Sequence, residues 1–122
     1  MIPKFINLLQ KRRHLIIHGD GQHSRRYIYT ADVADTFDTM LHRGQFKQVY
    51  NIGSVDEVTN LELCAKLLAV FNISQTGSGD WVEHTKDQPF NDRRYAIDGT
   101  KLRQLGWEQK TAFEEGLKIT AD

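Results

Sequence analysis

Apolar residues return at helical spacing at the start of the chain. Ile2, Phe5, Ile6 and Leu9 fall on one side of a helix that has a proline near its first turn, where the missing donor does no harm. Residues 11–13 read Lys-Arg-Arg, and the helix dipole favours such cations at a carboxyl end. The pattern predicts an amphipathic helix that these cations close.

Short runs rich in β-branched and aromatic residues separate the helical segments. They occupy residues 15–18, 27–29, 48–52 and 81–84. Glycines follow the first and the third run, as they often do where a strand ends. Each run is predicted to be a strand, with a polar loop at 74–80 and an irregular segment at 86–91.

Two longer amphipathic helices are predicted in the middle of the chain. The first runs from Thr30, a possible cap, to Gly44, and its apolar positions are Val33, Phe37, Met40 and Leu41. The second follows Thr59-x-x-Glu62, the spacing of a capping box. Its apolar positions are Leu63, Cys64, Leu67, Leu68 and Phe71.

Two further helices are predicted near the carboxyl end. Asp98 can cap a short helix that stops at Gly106, with Trp107 folding back. The last helix is expected to start at Thr111-x-x-Glu114, another capping-box spacing.

Length and charge limit the classes of function. A chain of 122 residues supports one domain, residues 1–122, of mixed α/β class, and 39% hydrophobic residues supply one modest core. Sixteen basic residues balance sixteen acidic ones, which argues against nucleic acid or an anionic membrane as a partner. Any anion site must therefore be local.

Neither cysteine nor histidine chemistry stands out. Cys64 is the single cysteine, falls within a helical apolar pattern and is predicted to be a buried thiol. The histidines show no metal-ligand spacing, so no metal is assigned. Without an apolar run of membrane-spanning length or a signal-peptide pattern, a cytoplasmic location is expected.

Three motifs carry a resemblance to a known family. Residues 19–34 read Gly-Asp-Gly-Gln-His-Ser-Arg-Arg-Tyr-Ile-Tyr-Thr-Ala-Asp-Val-Ala, residues 50–53 read Tyr-Asn-Ile-Gly, and residues 91–98 read Asn-Asp-Arg-Arg-Tyr-Ala-Ile-Asp. In this order they resemble the carboxy-terminal, substrate-binding part of NDP-glucose 4,6-dehydratases, with dTDP-D-glucose or UDP-glucose as substrate. These are extended short-chain dehydrogenase/reductases, so the resemblance implies a small substrate-binding domain that lacks the amino-terminal Rossmann half.

The resemblance assigns contacts with the nucleotide sugar to five positions. Arg25 matches the arginine that contacts the diphosphate, Asn51 and Asn91 match substrate contacts, and His18 matches a residue beside the nucleobase. Gln88 departs from the family, which has arginine there, so weaker nucleotide binding is expected. From the residues alone, an exposed salt-bridging arginine, a strand-end asparagine and a strand-terminal histidine remain the alternatives.

The neighbours of these positions admit other roles. Arg26 stands where the family has Asp, which leaves the local pairing of Arg25 open. Arg93 and Arg94 can form ion pairs with Asp92 and Asp98 or contact a ligand, and Tyr95 is predicted to belong to the core.

The chemistry that the family performs on its cofactor has no counterpart in this chain. It contains neither a glycine-rich G-x-G-x-x-G or G-x-x-G-x-x-G turn for the pyrophosphate nor a Tyr-x-x-x-Lys pair. The family uses NAD, whereas the chain alone is expected to bind no cofactor and to be inactive.

Two alternatives remain open at this stage. One is a fragment of a UDP-sugar epimerase or decarboxylase, since several of the motifs are shared more widely. The other is a non-catalytic binding or assembly module. Because the missing half should leave apolar residues uncovered, homo-oligomerisation through that surface is expected.

Overall fold

The computed structural model describes residues 1–74, 81–90 and 92–122. Helices and short strands alternate along them. The helices are α1 (Ile2–Gln10), α2 (Thr30–Arg43), α3 (Asn60–Val70), α4 (Thr100–Gln104) and α5 (Phe113–Ala121). The strands are β1 (Leu15–His18), β2 (Ser24–Arg26), β3 (Glu57–Thr59) and β4 (Val82–Thr85).

The strands form two separate pairs. β1 and β4 are parallel, with Leu15 opposite Val82, and β2 and β3 are antiparallel, with Arg25 opposite Val58. An isolated parallel bridge adds Arg94 to β2 next to Ser24. The polar segment around residues 93–95 is thereby fixed beside the strand that carries Arg25.

The core lies between α3 and the elements that cover it. Side chains from α1, β1, β3 and α5 surround α3, and the members of the cluster include Phe5, Leu9, Leu15, Ile17, Val58, Leu63, Leu67, Leu68, Phe113 and Leu117. α3 supplies four of the buried positions because its apolar residues recur at helical spacing. The main hydrophobic core is therefore organised around one helix.

Several sequence predictions are confirmed. The Thr59–Glu62 capping box is present in both directions at the start of α3, with the Glu62 amide 3.2 Å from the Thr59 hydroxyl. Cys64 is buried, and burial raises the pKa of its thiol to about 12. α4 is followed by Gly106 in the left-handed conformation, and Trp107 then folds back to a buried position.

Two predicted strands are wrong. Residues 27–29 lie outside any strand, because the backbone that pairs with β3 is that of 24–26, immediately before them. Residues 48–52 are also irregular. Their sequence favours a strand, yet the part of the chain that the structure describes places no partner strand beside them.

The caps predicted for α2, α4 and α5 are also corrected. α2 begins at Thr30 itself, so this residue is not the cap, and Asp98 precedes Gly99, the N-cap of α4. The Asp98 carboxylate still accepts the Thr100 amide at 2.9 Å.

α5 begins at Phe113 without a side-chain cap, because both residues of the predicted box have other partners. Thr111 bonds to Asp32, and Glu114 pairs with Lys66.

The apolar face of α2 points away from the core. Phe37 is 56% exposed and Leu41 is 84% exposed, whereas the buried residues of the helix are Asp32 and Thr36. Asp32 is held inward because its carboxylate accepts the amide and the hydroxyl of Thr111, at 2.9 and 3.2 Å. A polar contact thus sets the rotation of this helix and leaves its apolar face without a cover among the described residues.

Candidate functional site

A cavity of about 450 Å³ opens between α1, β1 and β2. Its polar lining comes from Lys4, His18, Arg25, Asn60 and Gln88, and its apolar lining includes Phe5, Ile17 and Tyr27. Two cations face it, and the described residues that line it include no carboxylate. Such a lining suits an anionic ligand with an apolar portion.

The turn between β1 and β2 brings β2 close to the core. Gly19 and Gly21 adopt positive φ angles of 69° and 75°, which favour glycine. A Cβ on Gly21 would lie 2.5 Å from the Cγ of Leu61, so the turn packs tightly against the start of α3. This close approach positions the strand that carries Arg25.

Arg25 is oriented by backbone and by an aromatic ring. Its Nη1 donates to the carbonyl oxygen of Ser24 at 2.7 Å, and its Cζ lies 4.7 Å from the centre of the Tyr95 ring. The hydroxyl of Tyr95 donates to the Asp92 carboxylate at 2.5 Å, which raises the pKa of Tyr95. The predicted core position of Tyr95 is wrong, because the residue is 52% exposed.

On the side of β2 opposite to Arg25, Glu57 contacts several polar groups. It accepts the Ser24 hydroxyl at 2.7 Å and both a 2.6 Å and a 2.9 Å bond from the Arg94 guanidinium. Arg26 lies near the same carboxylate, at 3.8 Å. The hydrogen bonds from Arg94 and Ser24 lower the pKa of Glu57 to about 2. Arg94 therefore forms an ion pair, although its partner is Glu57 and not the predicted Asp92 or Asp98.

Acid is expected to weaken the fold through Glu57. Its folded-state pKa lies below the ordinary 4.5, so its contribution to stability is complete above that pH and is lost as the pH falls towards 2. The free energy of unfolding, measured in urea across this range, should fall less steeply in Glu57→Gln than in the parent chain. Glu108→Gln, at an exposed position outside this network, is the control. Parallel profiles for Glu57→Gln and the parent would contradict the expectation.

The segment that carries Gln88 is tied to the turn before β2. The Asp87 carboxylate lies 3.4 Å from Nε2 of the buried His23, and Arg93 donates to Asp20 at 3.0 Å. A hydrogen bond from the Gln22 amide lowers the pKa of Asp20, and the nearby Arg93 and His23 lower it further. These contacts tie Asp87 and Arg93 to the turn between β1 and β2.

The structure brings three of the five predicted site residues together. His18, Arg25 and Gln88 line the cavity, with His18 Nδ1 lying 3.3 Å from the carbonyl oxygen of Lys86. Asn51 is exposed and is not among the residues that line it, and Asn91 lies outside the described residues. Their roles as ligand contacts stay predictions.

Sequence reasoning missed two cavity residues and the neighbour of Arg25. Lys4 lies on the polar side of an amphipathic helix, where lysines are common and do not indicate a binding site. Asn60 directly follows a cap residue, and this position next to a helix start was the only available signal. The contact between Tyr95 and Arg25 joins residues 70 positions apart and left no local pattern.

Neither a metal-binding cluster nor a membrane-spanning helix occurs in the described part of the chain. No group of three or more His, Cys, Asp or Glu side chains there could hold a metal ion. No helix there combines the length and the apolar character that a membrane span requires.

Comparison with known proteins places these features in a family. The chain is 42% identical to a trifunctional UDP-glucose 4,6-dehydratase/UDP-4-keto-6-deoxy-D-glucose 3,5-epimerase/UDP-4-keto-L-rhamnose-reductase of Arabidopsis thaliana, over 100% of this chain and 18% of the relative. The dTDP-glucose 4,6-dehydratase of Streptomyces venezuelae, solved with NAD bound, matches with a TM-score of 0.88 and 31% identity. The match covers 98% of this chain and 36% of that enzyme.

The fold is shared across related activities. UDP-glucose 4-epimerase of Thermotoga maritima, solved with UDP-glucose, matches with a TM-score of 0.86 and 27% identity over 98% of this chain and 37% of that one. The fold is thus that of extended short-chain dehydrogenase/reductases. The chain belongs to the GDP-mannose 4,6 dehydratase family, whose model matches residues 1–120. The resemblance to NDP-glucose 4,6-dehydratases is confirmed, and the chain spans well under half the length of each of these relatives.

Proposed function

We propose that this chain is the nucleotide-sugar-binding portion of a dTDP-glucose or UDP-glucose 4,6-dehydratase. The observation that carries the proposal is the cavity lined by His18, Arg25 and Gln88, with Lys4 as a second cation and no carboxylate among its described lining residues. Its volume of about 450 Å³ falls within the range of small-molecule sites.

Each lining residue has a role that its chemistry suits. The planar guanidinium of Arg25 can grip a diphosphate through paired hydrogen bonds, and Lys4 adds a point charge. His18 at the end of β1 packs beside the nucleobase, and the Gln88 amide faces the phosphates. Asn51 and Asn91 complete the set as substrate contacts.

A dehydratase is favoured over an epimerase by the degree of likeness. Identity is 42% with the plant enzyme that includes a UDP-glucose 4,6-dehydratase, against 27% with the bacterial UDP-glucose 4-epimerase. In a complete enzyme of this kind, NAD would be held outside this chain and would supply the hydride acceptor and donor for the dehydration. The present chain supplies the ligand side of that site, binds no NAD by itself and is inactive alone.

Titration calorimetry with UDP, dTDP and uridine tests the binding proposal. We expect UDP or dTDP to bind and uridine to bind far more weakly, because the diphosphate supplies the charge that Arg25 and Lys4 recognise. Equal binding of UDP and uridine would show that the cations play no part. Absence of binding by both diphosphates would reject the proposed function of this chain.

Gln88→Arg is expected to tighten the binding of UDP. A charged donor in place of a neutral amide adds a charge-assisted hydrogen bond, worth about 1.5–3 kcal/mol, or roughly tenfold to a hundredfold in the dissociation constant. Gln88→Lys places a charge there without the planar pair of donors and should recover less of this gain. An unchanged dissociation constant in Gln88→Arg would contradict the assignment of residue 88 to the phosphate site.

The uncovered face of α2 should make copies of the chain associate. Phe37 and Leu41 are neighbours on this helix and are both exposed, and contiguous exposed apolar residues favour association. Analytical ultracentrifugation over a concentration series is expected to show self-association that Phe37→Glu/Leu41→Glu reduces. Asn7→Glu/Gln10→Glu, at two exposed positions of α1, adds the same two negative charges and is the control. A folded monomer at high concentration would contradict this expectation.

A further inference from the structure

The ring of Tyr95 lies against the guanidinium of Arg25. The Cζ of Arg25 is 4.7 Å from the ring centre, within the range of a cation–π contact. Tyr95 is 52% exposed and is not among the residues that line the cavity, whereas Arg25 lines it. Through this contact with Arg25, Tyr95 can influence a ligand in the cavity without lining the cavity itself.

The alternation of side chains along the backbone brings Tyr95 and Arg25 together. Ser24 and Arg26 both reach Glu57, so Arg25 between them projects to the other side of β2. On the bridged segment, Arg94 also reaches Glu57, and the next residue, Tyr95, lies on the side of Arg25. The Ser24 amide donates to the carbonyl oxygen of Arg93 at 2.9 Å and fixes this register.

The ring is itself held in place at its far end. The Tyr95 hydroxyl donates to the Asp92 carboxylate at 2.5 Å. The backbone bridge and this hydrogen bond together restrict the position of the ring. A guanidinium that lies over an aromatic ring is attracted to the ring, and this contact restricts where the Arg25 side chain can move.

We propose that Tyr95 is a positioning residue, which holds Arg25 in the orientation that grips the diphosphate of a nucleotide sugar. This inference rests on the proposed function of the cavity. A long arginine side chain loses conformational freedom when it binds, and prior orientation reduces that cost at the moment of binding. Tyr95 thereby raises the affinity of the site without touching the ligand.

The orientation itself is measured by NMR on the chain without ligand. Protons stacked over an aromatic ring are displaced upfield, so the Arg25 side-chain signals should be displaced in the parent chain and in Tyr95→Phe. They should return to ordinary positions in Tyr95→Leu, which has no ring. Undisplaced signals in the parent chain, or displacement that persists in Tyr95→Leu, would overturn the proposal.

The consequence for binding is measured by titration with UDP. Tyr95→Leu is expected to weaken binding by about threefold to tenfold, and Tyr95→Phe, which keeps the ring, by about twofold or less. In an Arg25→Ala background Tyr95→Leu should have no further effect, because its action passes through Arg25. An unchanged affinity in Tyr95→Leu, or the same loss with and without Arg25, would overturn the proposal.

The design separates this inference from the proposed function. If Arg25→Ala leaves UDP binding unchanged, the assignment of the diphosphate site fails, and the role of Tyr95 in binding fails with it. If Arg25→Ala weakens binding and Tyr95→Leu does not, only the positioning role fails. Thermal unfolding verifies that each variant is folded, and Tyr95→Gln replaces Tyr95→Leu if the leucine variant does not fold.

Discussion

Leu67→Ala is expected to lower the free energy of unfolding by about 2–5 kcal/mol. Leu67 is fully buried at 0% exposure in α3, the helix around which the core is organised. The substitution removes buried apolar contacts and leaves a cavity that its neighbours from other elements fill only in part. Urea denaturation followed by circular dichroism gives this difference directly.

Leu41→Ala makes the same chemical change at an exposed place. Leu41 is 84% exposed on α2, so its replacement should alter stability by less than about 0.5 kcal/mol when the protein is dilute enough to be monomeric. The contrast between the two variants tests the rotation of α2 as well as the position of the core. Equal losses from the two substitutions would mean that the apolar face of α2 is covered in solution.

Arg25→Ala is expected to weaken the binding of UDP by about tenfold to a hundredfold. Among the described residues that line the cavity, Arg25 alone offers several charged donors in a plane. Loss of a charge-assisted hydrogen bond costs about 1.5–3 kcal/mol. Arg25→Lys keeps the charge and should restore only part of the affinity, because a lysine cannot form the paired contact.

Arg13→Ala is the matched control for charge. Arg13 is exposed beyond the end of α1 and does not line the same cavity, so its loss should leave the dissociation constant nearly unchanged at physiological salt. Similar losses from Arg25→Ala and Arg13→Ala would show that general attraction, not a specific contact, accounts for the binding. The chain would then lack the diphosphate site that we assign to it.

Local patterns predicted the elements that are marked by residue types within a few positions of one another. The spacing of Leu63, Leu67 and their neighbours predicted α3, and the Thr59–Glu62 box placed its start, since both signals act within a few residues. β1 was predicted correctly in the same way. Pairing across the chain was not predictable by this route. β2 is a strand because residues 57–59 pair with it, whereas residues 27–29 have a better strand composition and no such partner.

The sequence likewise predicted some residues of the candidate site and missed others. Resemblance selected His18, Arg25 and Gln88, and the structure places all three on one cavity. The resemblance gave no indication of Lys4, which reaches the cavity only because α1 packs beside β1. Tyr95 was expected in the core because aromatic side chains usually bury their rings, yet its contact is with a cation at the surface.

The amino-acid sequence by itself determined the family and the central helix, because each of these depends on residue types in a recognisable local order or spacing. Only the tertiary structure decided which backbone forms β2, which face α2 turns outward, and that Tyr95 meets Arg25. These features depend on hydrogen bonds and contacts between residues far apart in the chain, such as Asp32 with Thr111 and Ser24 with Arg93, and no local pattern encodes such partners.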